Sequence, residues 1–269
     1  MRSFNVICGL PRAGSTLLCN ILNQHEEIQC SGTSPLPGII GSAIQATSVS
    51  DETRSMLIHD QEGTEQRISR AIQGIIQGWY MDSTVDHVFD KSRGWPFNMR
   101  ALKHVSGDSL AVVTVRDPRD VIASIHKQDN RTPTLDQAAD PLGKTIFART
   151  EELMLPNGLV GQAILGVEDM VRRGDQSILF LKYEEFVKNP TLFLNDIVHR
   201  LGLDEFEFDL ENVENTAPDV DGVYLNKFPH EGSGKVCADN VGTWSDVLDS
   251  ELAEAVRNRY PYFGKTFGY

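Results

Sequence analysis

Residues 4–18 read FNVICGLPRAGSTLL, an apolar run that passes through a loop bounded by Gly9 and Gly14 into helix-like spacing. A strand that turns through glycines into a helix directs backbone N–H groups and the positive end of the helix dipole at one point. We therefore expect this turn to bind a phosphate group and the ligand to be a nucleotide. A tight strand-to-helix turn with incidental glycines is the alternative.

The loop departs at one position from the phosphate loop of nucleoside triphosphatases. Its spacing matches G-x-x-x-x-G-K-[ST], but Ser15 stands where that motif has lysine, and Arg12 is the only cation in the loop. Those enzymes place the lysine on the β- and γ-phosphates and a hydroxyl on magnesium. A cation inside the loop, in place of the lysine at its end, favours a group transfer other than that of the nucleoside triphosphatases, one that needs no metal.

Composition narrows the class of protein. The chain has 269 residues, of which 40% are hydrophobic, and its net charge is −13. This length suits one large α/β domain, and we expect a single domain over residues 1–269. The negative charge disfavours general binding to nucleic acid or anionic membranes. With no bilayer-length apolar run and a first strand too early for a signal peptide, we predict a soluble, cytoplasmic protein.

The order of apolar runs predicts a doubly wound sheet. Strand-like runs lie at residues 4–8, 85–89, 110–115 and 177–181, and helix-like segments at 15–24, 65–80, 97–105, 119–127, 159–173, 191–201 and 250–260. Continuous Val, Ile and Leu favour mostly parallel strands covered by helices on both faces. We predict an α/β, P-loop NTPase-like sheet that binds its ligand at the carboxyl ends of the strands.

Three segments rich in Gly, Pro, Ser, Asn and Asp have no sustained period and are predicted to be long loops, at about residues 30–60, 128–143 and 215–240. Loops of this length in a compact domain are usually binding walls or lids, and partial disorder is the alternative. The four cysteines form no C-x-x-C pair, and we interpret them as buried thiols.

A second anion site is indicated by VRDPRDVIAS at residues 115–124. Arg116 leaves the third predicted strand at its carboxyl end, and Ser124 lies about two helical turns into the next helix. The two side chains converge only if a compact anion lies between them, and the planar guanidinium suits a phosphate. The alternative is a surface network among Asp117, Arg119 and Asp120.

Together the two motifs resemble the cofactor motifs of sulfotransferases that use 3′-phosphoadenosine 5′-phosphosulfate (PAPS). The resemblance extends to LKYEEF at residues 181–186 and to NVGTW at residues 240–244, which is similar to the closing-loop signature of the family. It implies that the first loop holds the 5′-phosphosulfate, that Arg116 and Ser124 hold the 3′-phosphate, and that Tyr183 contacts adenine. The implied cofactor-binding residues are Arg12, Ala13, Gly14, Ser15, Thr16, Leu17, Arg116, Ser124 and Tyr183, with Lys227 and Lys235 from a glycine-containing loop that would close over the cofactor.

The resemblance also implies the chemistry. A sulfuryl group would pass in line from PAPS to a hydroxyl or amine of a small-molecule or peptide acceptor, with 3′,5′-adenosine bisphosphate (PAP) as product and no metal. Arg12 and Lys91 would be the catalytic residues, neutralising charge on the bridging oxygen. For Lys91 a structural ion pair with Asp90 is the alternative. A P-loop kinase and a catalytically inactive nucleotide-binding module are the competing functions.

The general base is not identified by the resemblance. The motifs look closest to the tyrosylprotein sulfotransferase branch, but Gly32 stands where that branch has its catalytic glutamate. The cytosolic branch has a histidine two residues after a lysine, whereas Lys91 is followed by Ser92 and Arg93. The candidates are His104, His59, Glu62 and His230, each of which is also an ordinary surface or core residue in the alternative interpretation.

Overall fold

The computed structural model describes residues 3–107, 109–132, 145–217, 219–224, 229–230 and 232–269. Within them, five parallel strands form one sheet in the order β2-β3-β1-β4-β5. The strands are β1 (Ser3–Gly9), β2 (Ile28–Thr33), β3 (His87–Lys91), β4 (Ala111–Val115) and β5 (Ile178–Lys182). The predicted α/β fold with a parallel sheet is confirmed.

Helices connect the strands and cover the sheet. They are α1 (Ser15–Leu22), α2 (Leu36–Val49), α3 (Asp51–His59), α4 (Gln61–Trp79), α5 (Trp95–Ser106), α6 (Pro118–Arg131), α7 (Ile146–Met154), α8 (Leu159–Arg173), α9 (Tyr183–Phe186), α10 (Pro190–Arg200), α11 (Ser250–Asn258) and α12 (Pro261–Phe267). In the described part of the chain, none of them combines the length and the apolar character that crossing a bilayer requires.

Strand β1 separates two hydrophobic cores. Phe4, Val6 and Cys8 belong to the core that includes buried residues of α4, α5 and α8. Ile7 belongs to the other core, with buried residues of α1 and α10. Because successive side chains of a strand point to opposite faces, this alternation shows helices packed on both sides of the sheet. It also explains why the strands appear in the sequence as continuous apolar runs.

The prediction of a loop over residues 30–60 was wrong. This region contains the end of β2 and the helices α2 and α3. Strand β2 was missed because its sequence, IQCSGT, is short and mixes polar residues with glycine. Helix α2 contains Gly, Pro, Ser and Thr, which lower helix propensity. The local signals were the caps: Ser50 accepts from the Thr53 N–H in α3, and Asp60 accepts from the Gly63 N–H in α4.

The other two predicted loops are only partly described. Helix α6 extends to Arg131, so the start of the 128–143 segment is helical, and residues 133–144 lie outside the described part. In the described residues of the 215–240 segment, regular structure is limited to a 3₁₀ turn at Asp221–Tyr224 and to Gly234, which bridges to Val213. Lys227 lies outside the described residues.

The sheet order places the ends of the strands where a ligand binds. The chain leaves β1 toward β2 on one side and later returns to β4 on the other, so β1 is the point at which the strand order reverses. In doubly wound sheets the binding crevice lies outside the carboxyl ends of the strands at this point. Gly9, Lys91 and Arg116 all lie at that edge.

Candidate functional site

Two glycines shape the loop between β1 and α1. Gly9 has φ +128°, and a Cβ there would lie 2.1 Å from the backbone oxygen of Thr114 on β4. Gly14 has φ +83°, and its Cβ would lie 2.9 Å from the ring of Tyr183. A side chain at either position therefore meets a neighbouring segment and a backbone conformation that L-residues rarely adopt. The loop path depends on these glycines, as the sequence pattern indicated.

The loop ends at the N-terminus of α1, which begins at Ser15 with Gly14 as its N-cap. The first N–H groups of a helix have no intrahelical acceptor, and the helix dipole adds partial positive charge there. The first turn of α1 contains no acidic residue. This end of the helix is therefore suited to an anion.

A cavity of about 350 Å³ opens beside this helix end. Its wall contains most of the residues predicted from the sequence, namely Arg12, Gly14, Ser15, Thr16, Leu17, Lys91, Arg116, Ser124, Tyr183 and Lys235. Ala13 is fully buried in the hydrophobic core beside the loop. Lys235 lies at the exposed rim, where it pairs with Glu211 at 2.7 Å. The carboxylate of Glu211 raises the pKa of Lys235.

Arg12 connects the first loop to the second motif. Its Nε donates to Ser124 Oγ at 3.2 Å, and its Nη1 donates to the carbonyl oxygen of Pro229 at 3.0 Å. The backbone of Arg12 is in the left-handed region, with φ 59°. A non-glycine residue in this conformation costs of order 1–3 kcal/mol, and such strain clusters at ligand-binding sites.

Arg116 is buried at the carboxyl end of β4 and lines the cavity. Its Nη1 donates to the carbonyl oxygen of Arg12 at 2.8 Å, and its Nη2 donates to that of Asn240 at 2.5 Å. Its Nε is buried without a hydrogen-bond partner among the described residues. The guanidinium also lies 4.6 Å from the centre of the Tyr183 ring. Arg116 thus contacts three other segments of the chain, and its Nε is the donor that these contacts leave unpaired.

Of the acidic residues after β4, Asp117 pairs with another arginine, and Asp120 lies at the outer limit of an ion pair with Arg116. Asp117 pairs with Arg119, at 2.6 Å between Oδ2 and Nη2. Asp120 is buried and accepts from the backbone N–H groups of Gly242 and Trp244, at 2.7 and 3.0 Å, while it lies 4.0 Å from Arg116. The alternative network exists in part, but it pairs Asp117 with Arg119 and uses Asp120 to hold the loop at residues 240–244.

Lys91 lies at the carboxyl end of β3, opposite the helix end. Its Nζ donates to Thr16 Oγ1 and to Asp219 Oδ2, both at 3.2 Å. Asp90, the alternative partner, instead accepts from Tyr80 Oη at 2.6 Å and from Trp95 Nε1 at 2.7 Å. Lys91 is therefore directed to the cavity.

Asp219 was missed by the sequence reasoning. Besides Lys91, it accepts from the N–H and hydroxyl of Thr33, at 2.9 and 3.0 Å. Burial alone would raise the pKa of Asp219, but the Lys91 charge, the Thr33 N–H and His230 together lower it below its ordinary value. No sequence signal identifies this residue, because it lies in an irregular acidic loop 128 positions from its lysine.

Of the four candidates for the general base, His230 is the one that lines the cavity. His59, Glu62 and His104 are exposed and belong to α3, α4 and α5. The Nδ1 atom of His230 lies 2.6 Å from Asp221 Oδ1.

Comparison with known proteins identifies a family. A model described as "Sulfotransferase family" matches residues 6–207, which is more than half of the 269 residues. The match runs from β1 to just beyond α10 and includes Arg12, Lys91, Arg116, Ser124 and Tyr183. It ends before the segment with Asp219 and His230. A search of curated protein sequences gave no match.

Solved structures have a similar fold. A sulfotransferase domain from the olefin synthase of Synechococcus PCC 7002 aligns at 18% identity with a TM-score of 0.54, covering 99% of this chain and 94% of that chain. A sulfotransferase domain from the curacin biosynthetic pathway aligns at 15% identity with a TM-score of 0.56, covering 99% and 97%. Mouse sulfotransferase SULT7A1, solved in complex with PAP, aligns at 13% identity with a TM-score of 0.52, covering 98% and 85%. At these identities the similarity is one of fold.

Proposed function

The chain belongs to the sulfotransferase family, and on this basis we propose that it transfers a sulfuryl group from PAPS to a hydroxyl or amine acceptor. We propose that PAP is the product. The matched region includes both anion-binding motifs of the cavity. The finer likeness to the tyrosylprotein branch stays a prediction from the motifs.

The strongest support for the proposed nucleotide is the buried guanidinium of Arg116. A buried guanidinium whose Nε has no protein partner is costly, because an unsatisfied charged donor loses its hydration. A phosphate oxygen in the cavity would satisfy it. Ser124, which accepts from Arg12 Nε, supplies a hydroxyl to the same cavity wall. These residues suit the 3′-phosphate that distinguishes PAPS from ATP.

The other end of the cavity suits the 5′-phosphosulfate. The N–H groups at the start of α1 and the hydroxyls of Ser15 and Thr16 would bind its oxygens. Lys91 donates to Thr16 and so lies at this end. Tyr183, whose ring lies beside Arg116 and Gly14, would contact the adenine.

When bound, PAPS supplies a sulfuryl group activated by its bond to the 5′-phosphate. Lys91 would neutralise the charge that grows on the bridging oxygen, and Arg12, which spans the loop and Ser124, would stabilise the phosphates at both ends. Losing one such preorganised donor costs roughly 2.7–4 kcal/mol of transition-state stabilisation in other enzymes. Lys235, at the rim, and Lys227 are assigned to the cofactor only by the resemblance.

We further propose a small-molecule or peptide acceptor, a single domain and a cytoplasmic location. The acceptor would enter beside Lys91, where Thr33, Ser92 and Arg93 complete the cavity wall. Neither nucleic acid nor a membrane is among the proposed partners.

Ligand-dependent thermal stability tests the nucleotide assignment. PAP without magnesium should raise the melting temperature, because it binds only the folded state. Mg-ATP should have little effect. Arg116→Ala should weaken the response to PAP, whereas Arg200→Ala, on the exposed side of α10, should not. Stabilisation by Mg-ATP alone would favour a kinase.

Transfer of label tests the reaction. Radiolabelled sulfate from PAPS should appear on members of a panel of phenols, alcohols, amines and tyrosine peptides. PAP binding without transfer to any acceptor would instead identify an inactive nucleotide-binding module.

A further inference from the structure

We propose that His230 is the general base and that Asp221 holds it in the reactive tautomer. The inference rests on the proposed sulfuryl transfer and assigns a group that neither sequence motif supplies. It places the base on a segment beyond the region matched by the family model, which ends at residue 207.

A hydroxyl acceptor needs a base because its proton must leave as the bond to sulfur forms. The base must be within hydrogen-bond reach of the acceptor, and it must be able to accept a proton at neutral pH. Histidine is the side chain whose ordinary pKa best meets the second condition. Among the candidates from the sequence, His230 alone meets the first, because it lines the cavity that also contains Lys91 and Thr16.

The contact with Asp221 fixes the imidazole. Nδ1 of His230 lies 2.6 Å from Asp221 Oδ1, and the backbone N–H of His230 donates to both carboxylate oxygens, at 3.2 and 3.0 Å. A carboxylate on Nδ1 keeps the proton on that nitrogen and makes Nε2 the proton acceptor. Nε2 lies 3.5 Å from Thr33 Oγ1, at the end of β2 and on the cavity wall.

Asp219 is less suited to accept the proton. Its oxygens already accept from Lys91 Nζ and from the N–H and hydroxyl of Thr33. Its Oδ2 lies 3.8 Å from His230 Nδ1. Asp219 is therefore a positioning residue, which holds Lys91 and Thr33 beside the imidazole.

The step balances in atoms and charge. The acceptor oxygen forms a bond to sulfur, while the bond between sulfur and the bridging oxygen breaks and its electron pair stays on the 5′-phosphate of PAP. The acceptor proton moves to His230 Nε2, and Asp221 stabilises the resulting imidazolium. The proton then passes to water.

Two acceptors of similar size and different acidity test the role. 4-Methylphenol keeps its proton at neutral pH, whereas a substantial part of 4-nitrophenol is already ionised and needs no base. His230→Gln should lower kcat for 4-methylphenol by roughly 10²- to 10⁴-fold and for 4-nitrophenol by less than about tenfold. PAP affinity should be unchanged. His104→Gln, at an exposed position on α5, is the matched control and should behave as the wild type.

The pH dependence gives a second kinetic signature. Because the base must be neutral to accept a proton, kcat of the wild type should rise with pH and then level off, and this rise should vanish in His230→Gln. Asp221→Asn should lower kcat for 4-methylphenol, because the carboxylate that orients the imidazole is lost. In the described part of the chain, the charged groups near His230 include Asp219, Asp221 and, across Asp219, Lys91. Arg12 donates to the carbonyl of the adjacent Pro229.

Equal defects for the two phenols, or wild-type activity in His230→Gln, would overturn the assignment while leaving the sulfotransferase function in place. Absence of both PAP binding and sulfuryl transfer in the wild type would overturn the proposed function itself, and this inference with it. Nitrogen-15 NMR of the imidazole is independent of the acceptor. It should show the proton of neutral His230 on Nδ1, and a proton on Nε2 would contradict the proposal.

Discussion

Lys91 and Asp219 form an ion pair of 3.2 Å in which the two side chains are only 6% and 7% exposed. The pair joins the end of β3 to an irregular segment 128 residues later. Removing one partner of a buried pair leaves an uncompensated charge, which is far more costly than losing an exposed pair. The contact therefore fixes one wall of the cavity.

Asp219→Ala should destabilise the protein by about 3–5 kcal/mol in urea unfolding. Glu211→Ala, which breaks the exposed pair with Lys235, should have little effect on stability. Because the folded pKa of Asp219 is lowered, its ionisation contributes stability that is complete above the unfolded pKa of about 3.9 and is lost as pH falls through the folded value. Asp219→Asn should remove this part of the acid sensitivity. Equal losses in the two alanine variants would show that the pair is not buried in solution.

Gly9→Ala should be poorly tolerated. The new Cβ would meet the Thr114 oxygen at 2.1 Å, and φ +128° adds backbone strain. We expect about 1–3 kcal/mol from crowding and a similar amount from the backbone, measured by chemical unfolding. Gly38→Ala in α2, where a Cβ meets nothing within 4 Å, should be neutral or stabilising by up to about 1 kcal/mol. A neutral Gly9→Ala would mean that the loop takes another path.

Asp120→Ala should release the loop at residues 240–244. The backbone N–H groups of Gly242 and Trp244 lose their carboxylate acceptor, at about 1.5–3 kcal/mol for each hydrogen bond to a charged group that is lost. Amide hydrogen exchange of this loop should accelerate, and PAP should bind more weakly because Asn240 no longer holds Arg116. Asp246→Ala, at an exposed site in the following turn, is the control. Unchanged amide hydrogen exchange in Asp120→Ala would show that Asp120 does not hold this loop.

Cys237 should be the reactive thiol. Cys8, Cys19 and Cys30 are buried, and burial raises the pKa of Cys8 to about 12, so its nucleophilic thiolate is scarce. Cys237 is partly exposed and lines the cavity. An aromatic disulfide reagent should modify Cys237 in the native protein, and PAP should slow the modification. Cys237→Ser should abolish this rapid modification. Rapid modification of the variant would place the reactive thiol elsewhere.

Arg12→Ala should chiefly lower turnover, and Arg116→Ala should chiefly weaken cofactor binding, by about 1.5–3 kcal/mol if one charged hydrogen bond is lost. Single-turnover kinetics separates the two effects, and an identical defect in both variants would reject this division.

Since Arg12 donates to Ser124, Arg12→Ala and Ser124→Ala should also be non-additive for PAP affinity, with a coupling of about 0.5–3 kcal/mol.

The sequence was most informative where local pattern determines structure. Strand β1, the loop from Gly9 to Gly14 and helix α1 follow from apolar runs and glycine spacing, and the parallel strands explain why Lys91 and Arg116 meet at one edge. Helices α2 and α3 did not follow, because α2 contains several residues of low helix propensity and α3 is short and buries none of its residues, which leaves its Ser50 cap as the main signal.

The site residues outside the motifs depend on contacts between distant segments. Asp219 and Asp221 lie in a segment without periodicity, and their roles appear only when Lys91 and His230 are placed beside them. The hydrogen bonds of Arg116 could not be predicted either. Its acceptors are the backbone carbonyls of Arg12 and Asn240, which no side-chain motif reveals.

The reach of Arg116 from the end of β4 to Asn240 has a consequence for biosynthesis. Segments near the N-terminus emerge first from the ribosome and begin to fold before the rest of the chain is made. The phosphate loop therefore forms early, yet the cavity is closed only when residues 240–244 have been translated. A growing polypeptide that lacks residues 240–244 would present the cations of the cavity to water and should bind the nucleotide only after these residues have left the ribosome.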